Sequence, residues 1–218
     1  LLPQLAQLKS ILIIVGLLCL LLGHLGAITQ SNLKRMLAYS AIAQMGFIVL
    51  AFMLGLTQGF AIALYYLLIY VIAVLGFLGA LSFSGDDSAE ADQLESLEGL
   101  GQAHPWFGCV MIIILLSLIG IPPFAGFYAK LWVIKALMSA GLLSVVLLTL
   151  VLTVVGAFYY LRIISLMFFN TRTLAVPRVF SAMQIGIFSL NGLALLLLGI
   201  FPAPLLSLCN SLLFYSFR

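Results

Sequence analysis

Leu116-Ser117-Leu118-Ile119-Gly120-Ile121-Pro122-Pro123-Phe124-Ala125-Gly126-Phe127-Tyr128-Ala129-Lys130 lies inside a long apolar run and interrupts it. A proline pair has no N–H to donate, so carbonyls of the preceding turn lose their partners and need water or a polar group. Lys130 follows seven residues after Pro123, ~10 Å along a helix. An ionisable side chain in hydrocarbon costs about 2.5–3.5 kcal/mol on insertion scales. A broken membrane helix with a lysine just past the break marks an ion or proton path.

The rest of the chain is built for a bilayer. Of 218 residues, 65% are hydrophobic and 7% charged, and the mean hydropathy is +1.30. A soluble domain carries about 25% charged residues, so this chain cannot cover itself in water. A net charge of +3, scattered along the sequence, gives no basis for nucleic-acid binding. No charged segment followed by a short apolar core and cleavage site opens the chain, so no signal peptide is expected. The absence of an initial Met implies a processed product or a fragment. Cys19, Cys109 and Cys209 each stand alone in apolar runs, without metal-ligand spacing and odd in number, which argues against a disulfide framework. With no Gly-rich phosphate loop, no His/Cys cluster and no haem or iron–sulfur pattern, the chain is expected to hold no redox cofactor.

A spanning helix needs ~20 mostly apolar residues. Six spans are expected in an all-α, polytopic membrane domain covering residues 1–218, at about 10–28, 33–54, 59–83, 105–137, 142–169 and 180–200. The fourth is too long for one straight crossing at about 1.5 Å per residue and reads as two half-helices joined at Gly120–Pro123. Pro202 and Pro204 interrupt a last apolar stretch that either continues the sixth span or lies at the interface. A polar segment, 84–104, contains all six acidic residues: Asp86, Asp87, Glu90, Asp92, Glu95 and Glu98. The spans therefore contain no carboxylate. Lys34 and Arg35 in one short loop, and Arg172 and Arg178 in another, place those loops and the Asp86–Glu98 segment on the cytoplasmic or matrix side.

Two motifs point to a family. Gln30-Ser31-Asn32-Leu33-Lys34-Arg35-Met36-Leu37-Ala38-Tyr39-Ser40 resembles a recurring helix start of the antiporter-like subunits of respiratory complex I. The 116–130 stretch resembles the broken helix of the same proteins, and the spacing between the two fits. Lys at 130, after a span bearing Tyr65, Tyr66 and Tyr70, resembles the innermost of the three such subunits, the subunit-2 type. The resemblance implies the second of two inverted five-helix repeats plus a final helix, with the first half supplied by a separate chain from a split mitochondrial gene or missing from a fragment. It further implies a subunit of a proton-pumping NADH:ubiquinone oxidoreductase. Flavin, iron–sulfur clusters and quinone would lie in partner subunits, other membrane-arm subunits and lipids would surround the chain, and the location would be the mitochondrial inner membrane or a bacterial plasma membrane. A subunit of a multisubunit cation/proton antiporter or membrane-bound hydrogenase shares both motifs, and a purely structural half-subunit is the remaining alternative.

The residues carry this reading unequally. Lys130 is either the proton carrier or a structural cation that pairs with another chain or snorkels outward; with no carboxylate in the spans, polar groups or water supplied partly by a second chain are expected near it. Lys135 sits about 140° around the helix from Lys130, nearer the interface, where snorkelling competes with a place in the path. Lys34 is either a topological anchor or an entry point for water. His24 is either a packed histidine or a relay. Gln44 stands where relatives often have His, so it hydrogen-bonds but does not titrate. Tyr39, Ser40, Tyr65, Tyr66 and Tyr70 either line a water chain or pack. Arg162 stays charged and acts electrostatically or on a lipid headgroup.

Overall fold

The computed structural model describes residues 2–55, 58–82, 92–170 and 180–216, and no strand occurs among them. Helix α1 spans Leu2–Ile28, α2 Leu33–Phe52 and α3 Gln58–Ser82. A 3-10 turn, Leu94–Leu97, and a short helix α4, Leu100–Ala103, precede α5 (Pro105–Ile119) and α6 (Ala125–Ser139). Helices α7 (Leu143–Phe169), α8 (Ala182–Ile200) and α9 (Ala203–Ser216) complete the chain. Among the described residues, five helices are long and apolar enough to cross a membrane, at Gln7–Ile28, Leu33–Phe52, Gly59–Ser82, Leu143–Phe169 and Ala182–Ile200. The α5–α6 pair forms one further crossing, the broken fourth in chain order.

The first helix starts at Leu2, eight residues before its expected apolar onset, because a helix can run past the hydrocarbon into polar sequence. Pro3 is tolerated in a first turn, where its missing N–H has no intrahelical partner to lose. The broken span is as expected: α5 ends at Ile119 and α6 begins at Ala125. Gly120 takes a left-handed φ of 90° there, and the Pro122–Pro123 bond is cis. After Ile200 the helix stops at Phe201 and resumes as a separate α9, so the last stretch does not continue the sixth span as one helix.

Helices α1 and α2 approach closely along a glycine seam. A Cβ on Gly46 would lie 2.6 Å from the Gly16 carbonyl oxygen and 2.9 Å from Leu20, while one on Gly16 would lie 2.8 Å from Leu50. Small residues allow this contact in lipid, where apolar area alone does not drive helices together. The opposite face of α1 presents Ile11, Ile14, Val15, Leu18, Leu22 and Leu25, all exposed.

The polar segment differs from its expected form. Read by its charge, residues 84–104 are a loop for solvent or partners; residues 92–104 instead fold onto the helix ends. Leu94, Leu97 and Leu100 are buried, every third residue beneath a charged surface. Leu33 N–H donates to the Asp92 carbonyl at 2.7 Å and Leu94 N–H to the Ser31 carbonyl at 2.9 Å. Asp92 pairs with Lys34 at 2.9 Å. Gly99 N–H reaches the Leu166 carbonyl at 3.2 Å, and Asn170 Nδ2 donates to Glu98 at 3.1 Å. The segment is thus a strap from the start of α2 to the end of α7, and it puts both positively marked helix ends on one edge. Asp86, Asp87, Glu90, Arg172 and Arg178 lie outside the described residues.

Gly46→Ala is expected to destabilise the α1–α2 seam by about 1–3 kcal/mol, the usual cost of overpacking. Gly186→Ala, where a Cβ meets nothing within 4 Å, should leave the thermal midpoint of the detergent-solubilised protein unchanged. Equal midpoints for the two variants would contradict the seam.

Candidate functional site

The break in the α5–α6 crossing creates two unsatisfied helix ends in the interior of the bundle. A helix C-terminus leaves its last carbonyls without donors and carries partial negative charge. At α5 the Leu116 carbonyl is taken by the N–H groups of Gly120 and Ile121, at 2.9 and 3.0 Å. The last two carbonyls of the helix are taken by Lys130, whose Nζ donates to Leu118 O at 3.1 Å and Ile119 O at 2.7 Å. At the N-terminus of α6, Gly126 N–H donates to Ser117 Oγ at 3.1 Å. Each half-helix thus supplies the group that satisfies the other's end.

Lys130 is 7% exposed, and its ammonium lies 5.3 Å from the centre of the Phe47 ring, a cation–π distance. Its stem crosses Gly120 so closely that a Cβ there would lie 2.8 Å from Cδ. Gly120 is therefore required twice, by its φ and by the lysine above it. This chain's own backbone supplies two of the polar partners expected around Lys130.

A cavity of about 10 Å³ adjoins the amine, walled by Gln44, Tyr66, Tyr70, Ser117, Ala129 and Lys130 among others, which is room for about one water. From this cavity a file of buried polar groups runs away through the bundle. The Tyr66 hydroxyl donates to Gln44 Oε1. One turn back on α2, Ser40 Oγ hydrogen-bonds the Tyr160 hydroxyl. Tyr160 and Tyr159 lie with ring centres 4.3 Å apart, and the Tyr159 hydroxyl is 3.3 Å from His24 Nδ1. Gly156 provides the space for His24, since a Cβ there would collide with the imidazole. Two buried nitrogens along the file, Gln44 Nε2 and His24 Nε2, have no hydrogen-bond partner among the described residues.

Of the residues singled out from sequence, Lys130, Gln44, His24, Ser40, Tyr66 and Tyr70 are brought together here. Tyr65 is buried but does not wall the cavity, and its hydroxyl has no hydrogen-bond partner among the described residues. Tyr39 is 39% exposed with its ring packed on Gly26. Lys34, its side chain 61% exposed, is held by Asp92 at the strap. Lys135 is exposed and stands over the Trp132 ring at 5.5 Å; Arg162 is exposed. Tyr159, Tyr160 and Ser117 belong to the site and were missed. The signal for the tyrosines was an adjacent hydroxyl pair deep in an otherwise apolar span. No group of three or more His, Cys, Asp or Glu able to hold a metal occurs among the described residues.

Comparison with known proteins agrees with this geometry. Residues 1–156 match the family model described as NADH:quinone oxidoreductase/Mrp antiporter, TM. NADH-quinone oxidoreductase subunit N of Nitrosomonas europaea is 38% identical over 95% of the chain and 43% of its own length. Its counterpart in Paraburkholderia phymatum is 41% identical over 96% of the chain and 44% of itself. Among solved structures, a chain of respiratory complex I from Thermus thermophilus with bound Aureothin matches at a TM-score of 0.79 and 33% identity, over 91% of this chain and 45% of that one. A chain of the membrane-bound sulfane sulfur reductase, an archaeal respiratory membrane complex, matches at 0.85 and 30%, over 95% and 42%. The chain spans less than half the length of these curated relatives. With about seven-tenths of its length matched by the family model, and a broken helix closed on a buried lysine, this multi-pass chain belongs to the NADH:quinone oxidoreductase/Mrp antiporter transmembrane family.

Proposed function

We propose that this chain forms the second, C-terminal half of a subunit-N-type, innermost antiporter-like subunit in a proton-pumping NADH:quinone oxidoreductase, and that Lys130 exchanges the transported proton. The observation that carries this is the bonding of Lys130. A neutral lysine amine keeps two N–H groups, enough for Leu118 O and Ile119 O, and gains one lone pair. The third position around Nζ, donor when charged and acceptor when neutral, is the one left for the cavity. Lys130 therefore takes up and releases a proton without surrendering the bonds that close the broken helix. Water at the cavity, Gln44, Tyr66, the Ser40–Tyr160 pair, Tyr159 and His24 provide hydroxyl, amide and imidazole groups along which a proton is passed or oriented. A nearby charge in the complex changes the proton affinity of Lys130 through space.

On this reading the chain is a non-redox subunit, with flavin, iron–sulfur clusters and quinone in partner subunits. A first-half unit, in the same polypeptide or a separate chain, completes the subunit against other membrane-arm subunits. The bacterial relatives favour a plasma membrane over the mitochondrial inner membrane, with the strap on the cytoplasmic side. Likeness to the sulfane sulfur reductase chain supports a second reading, the same proton site in a respiratory complex with a different electron acceptor. Purification through this chain separates the two: co-purifying flavin and iron–sulfur subunits with quinone reductase activity support the first. A redox arm without that activity supports the second, and membrane subunits alone would move the chain to a cation/proton antiporter.

Lys130→Arg keeps the charge and the donors but holds its proton. The assembly is expected to accumulate normally while proton translocation coupled to electron transfer falls about 10²-fold, the scale of a lost acid–base group; full pumping would leave Lys130 a structural role only. Tyr66→Phe leaves Gln44 Oε1 without its donor, costs about 1–3 kcal/mol of stability, and should slow translocation roughly tenfold in reconstituted vesicles. For sidedness, Glu95→Cys should react with a membrane-impermeant maleimide from the cytoplasmic face and Ser144→Cys from the opposite face. The reverse pattern overturns the topology.

A further inference from the structure

Helix α8 packs on α3, α5 and α6, three of the helices that wall the Lys130 cavity, yet no α8 residue is among the walls. It meets the break through Gly199, which is buried. A Cβ there would lie 2.0 Å from the Pro123 carbonyl oxygen, 2.6 Å from the Phe124 carbonyl carbon and 2.7 Å from the Ala125 nitrogen. All three are backbone atoms, so α8 is seated on the polypeptide that joins the two half-helices. The same connection is held at its first residue, Gly120, by the stem of Lys130.

A second contact ties α8 to α3. Asn191 Nδ2 donates to the Ile72 carbonyl at 2.8 Å, and its amide fills space left by Gly76, where a Cβ would lie 2.1 Å from Oδ1. Ile72 lies between Tyr70 and Ala73 on α3, and both of those wall the cavity. Eight residues of helix, ~12 Å, separate Asn191 from Gly199. A hydrogen-bonded helix of that length moves as one rigid piece, so α8 holds α3 and the break at a fixed spacing.

We propose that α8 is the buttress of the proton site, with Gly199 a positioning residue for the Leu118 and Ile119 carbonyls and Asn191 a positioning residue for the Tyr66–Tyr70 wall. This role rests on Lys130 exchanging the proton. An ordinary contact begins at 3.4 Å, so a methyl group at position 199 drives the connection or α8 aside by more than ~1 Å. The Lys130 bonds of 2.7 and 3.1 Å do not survive a shift of that size. Gly192 lies on the same buried face of α8, but a Cβ there would meet the Val110 side chain of α5, at 2.9 Å. Crowding at Gly192 therefore strains α8 without pressing on the break.

The test compares Gly199→Ala, Gly192→Ala and Asn191→Ala in the intact assembly purified through this chain. Protons moved per electron pair in reconstituted vesicles should fall about tenfold in Gly199→Ala and several-fold in Asn191→Ala, and keep the wild-type ratio in Gly192→Ala. The pH at half-maximal translocation should move by about one unit in Gly199→Ala, the worth of one charge-assisted hydrogen bond, and stay in place in Gly192→Ala. Cryo-EM should show Lys130 detached from at least one of its two carbonyls in Gly199→Ala and bonded to both in Gly192→Ala. Both bonds kept in Gly199→Ala overturn the proposal, and so does an equal loss of translocation in the two glycine variants. Asn191→Ala introduces no clash and decides the matter if Gly199→Ala fails to assemble: an unchanged ratio and an unchanged pH profile there overturn the buttress. Full pumping by Lys130→Arg would instead remove the proton role of Lys130, and the Lys130 bonds in Gly199→Ala then decide the positioning role alone.

Discussion

The closure of α5 by the Lys130 amine is the interaction on which the structure turns. A helix interrupted in hydrocarbon exposes carbonyls that no solvent reaches, and each such group costs several kcal/mol. An ammonium alone in the same place is also costly. Put together at 2.7 and 3.1 Å, each removes the other's penalty. The helix dipole at the end of α5 adds to the attraction. The proline break and the buried lysine are therefore one feature, and neither is stable in lipid without the other.

Around that pair the bundle is arranged by contacts of low specificity and high shape demand. Gly16 and Gly46 let α1 and α2 approach, and Gly156 leaves room for the His24 imidazole. These small residues decide which polar groups face inward. Close approach of α1 and α2 puts His24, Ser40 and Gln44 on the same side as the α7 tyrosines, so that glycine spacing becomes hydrogen-bond spacing.

The crossings, the break and Lys130 were legible in the sequence because they depend on composition and on proline, both local. Gln44, Tyr66 and Tyr70 were legible as polar residues in apolar spans. Tyr159 and Tyr160 were not singled out, because an apolar span with no net amphipathic period does not disclose which face turns inward. That rotation is set by Gly156 against His24, a contact 132 residues apart. The strap was misread for a different reason: its carboxylates dominate the composition and conceal Leu94, Leu97 and Leu100, which do the packing.

The strap gives this membrane bundle a part of its dimensions from outside the membrane. It is fastened at one end to Ser31, Leu33 and Lys34, and at the other to Leu166 and Asn170. Those are the ends of α2, which carries Ser40 and Gln44, and α7, which carries Tyr159 and Tyr160. A hydrogen bond tolerates a few tenths of an ångström before it weakens. The width of the buried file is thus held by a gauge of extramembrane backbone, and a chain resting on that gauge has a mechanical handle on a hydrogen bond in the bilayer interior.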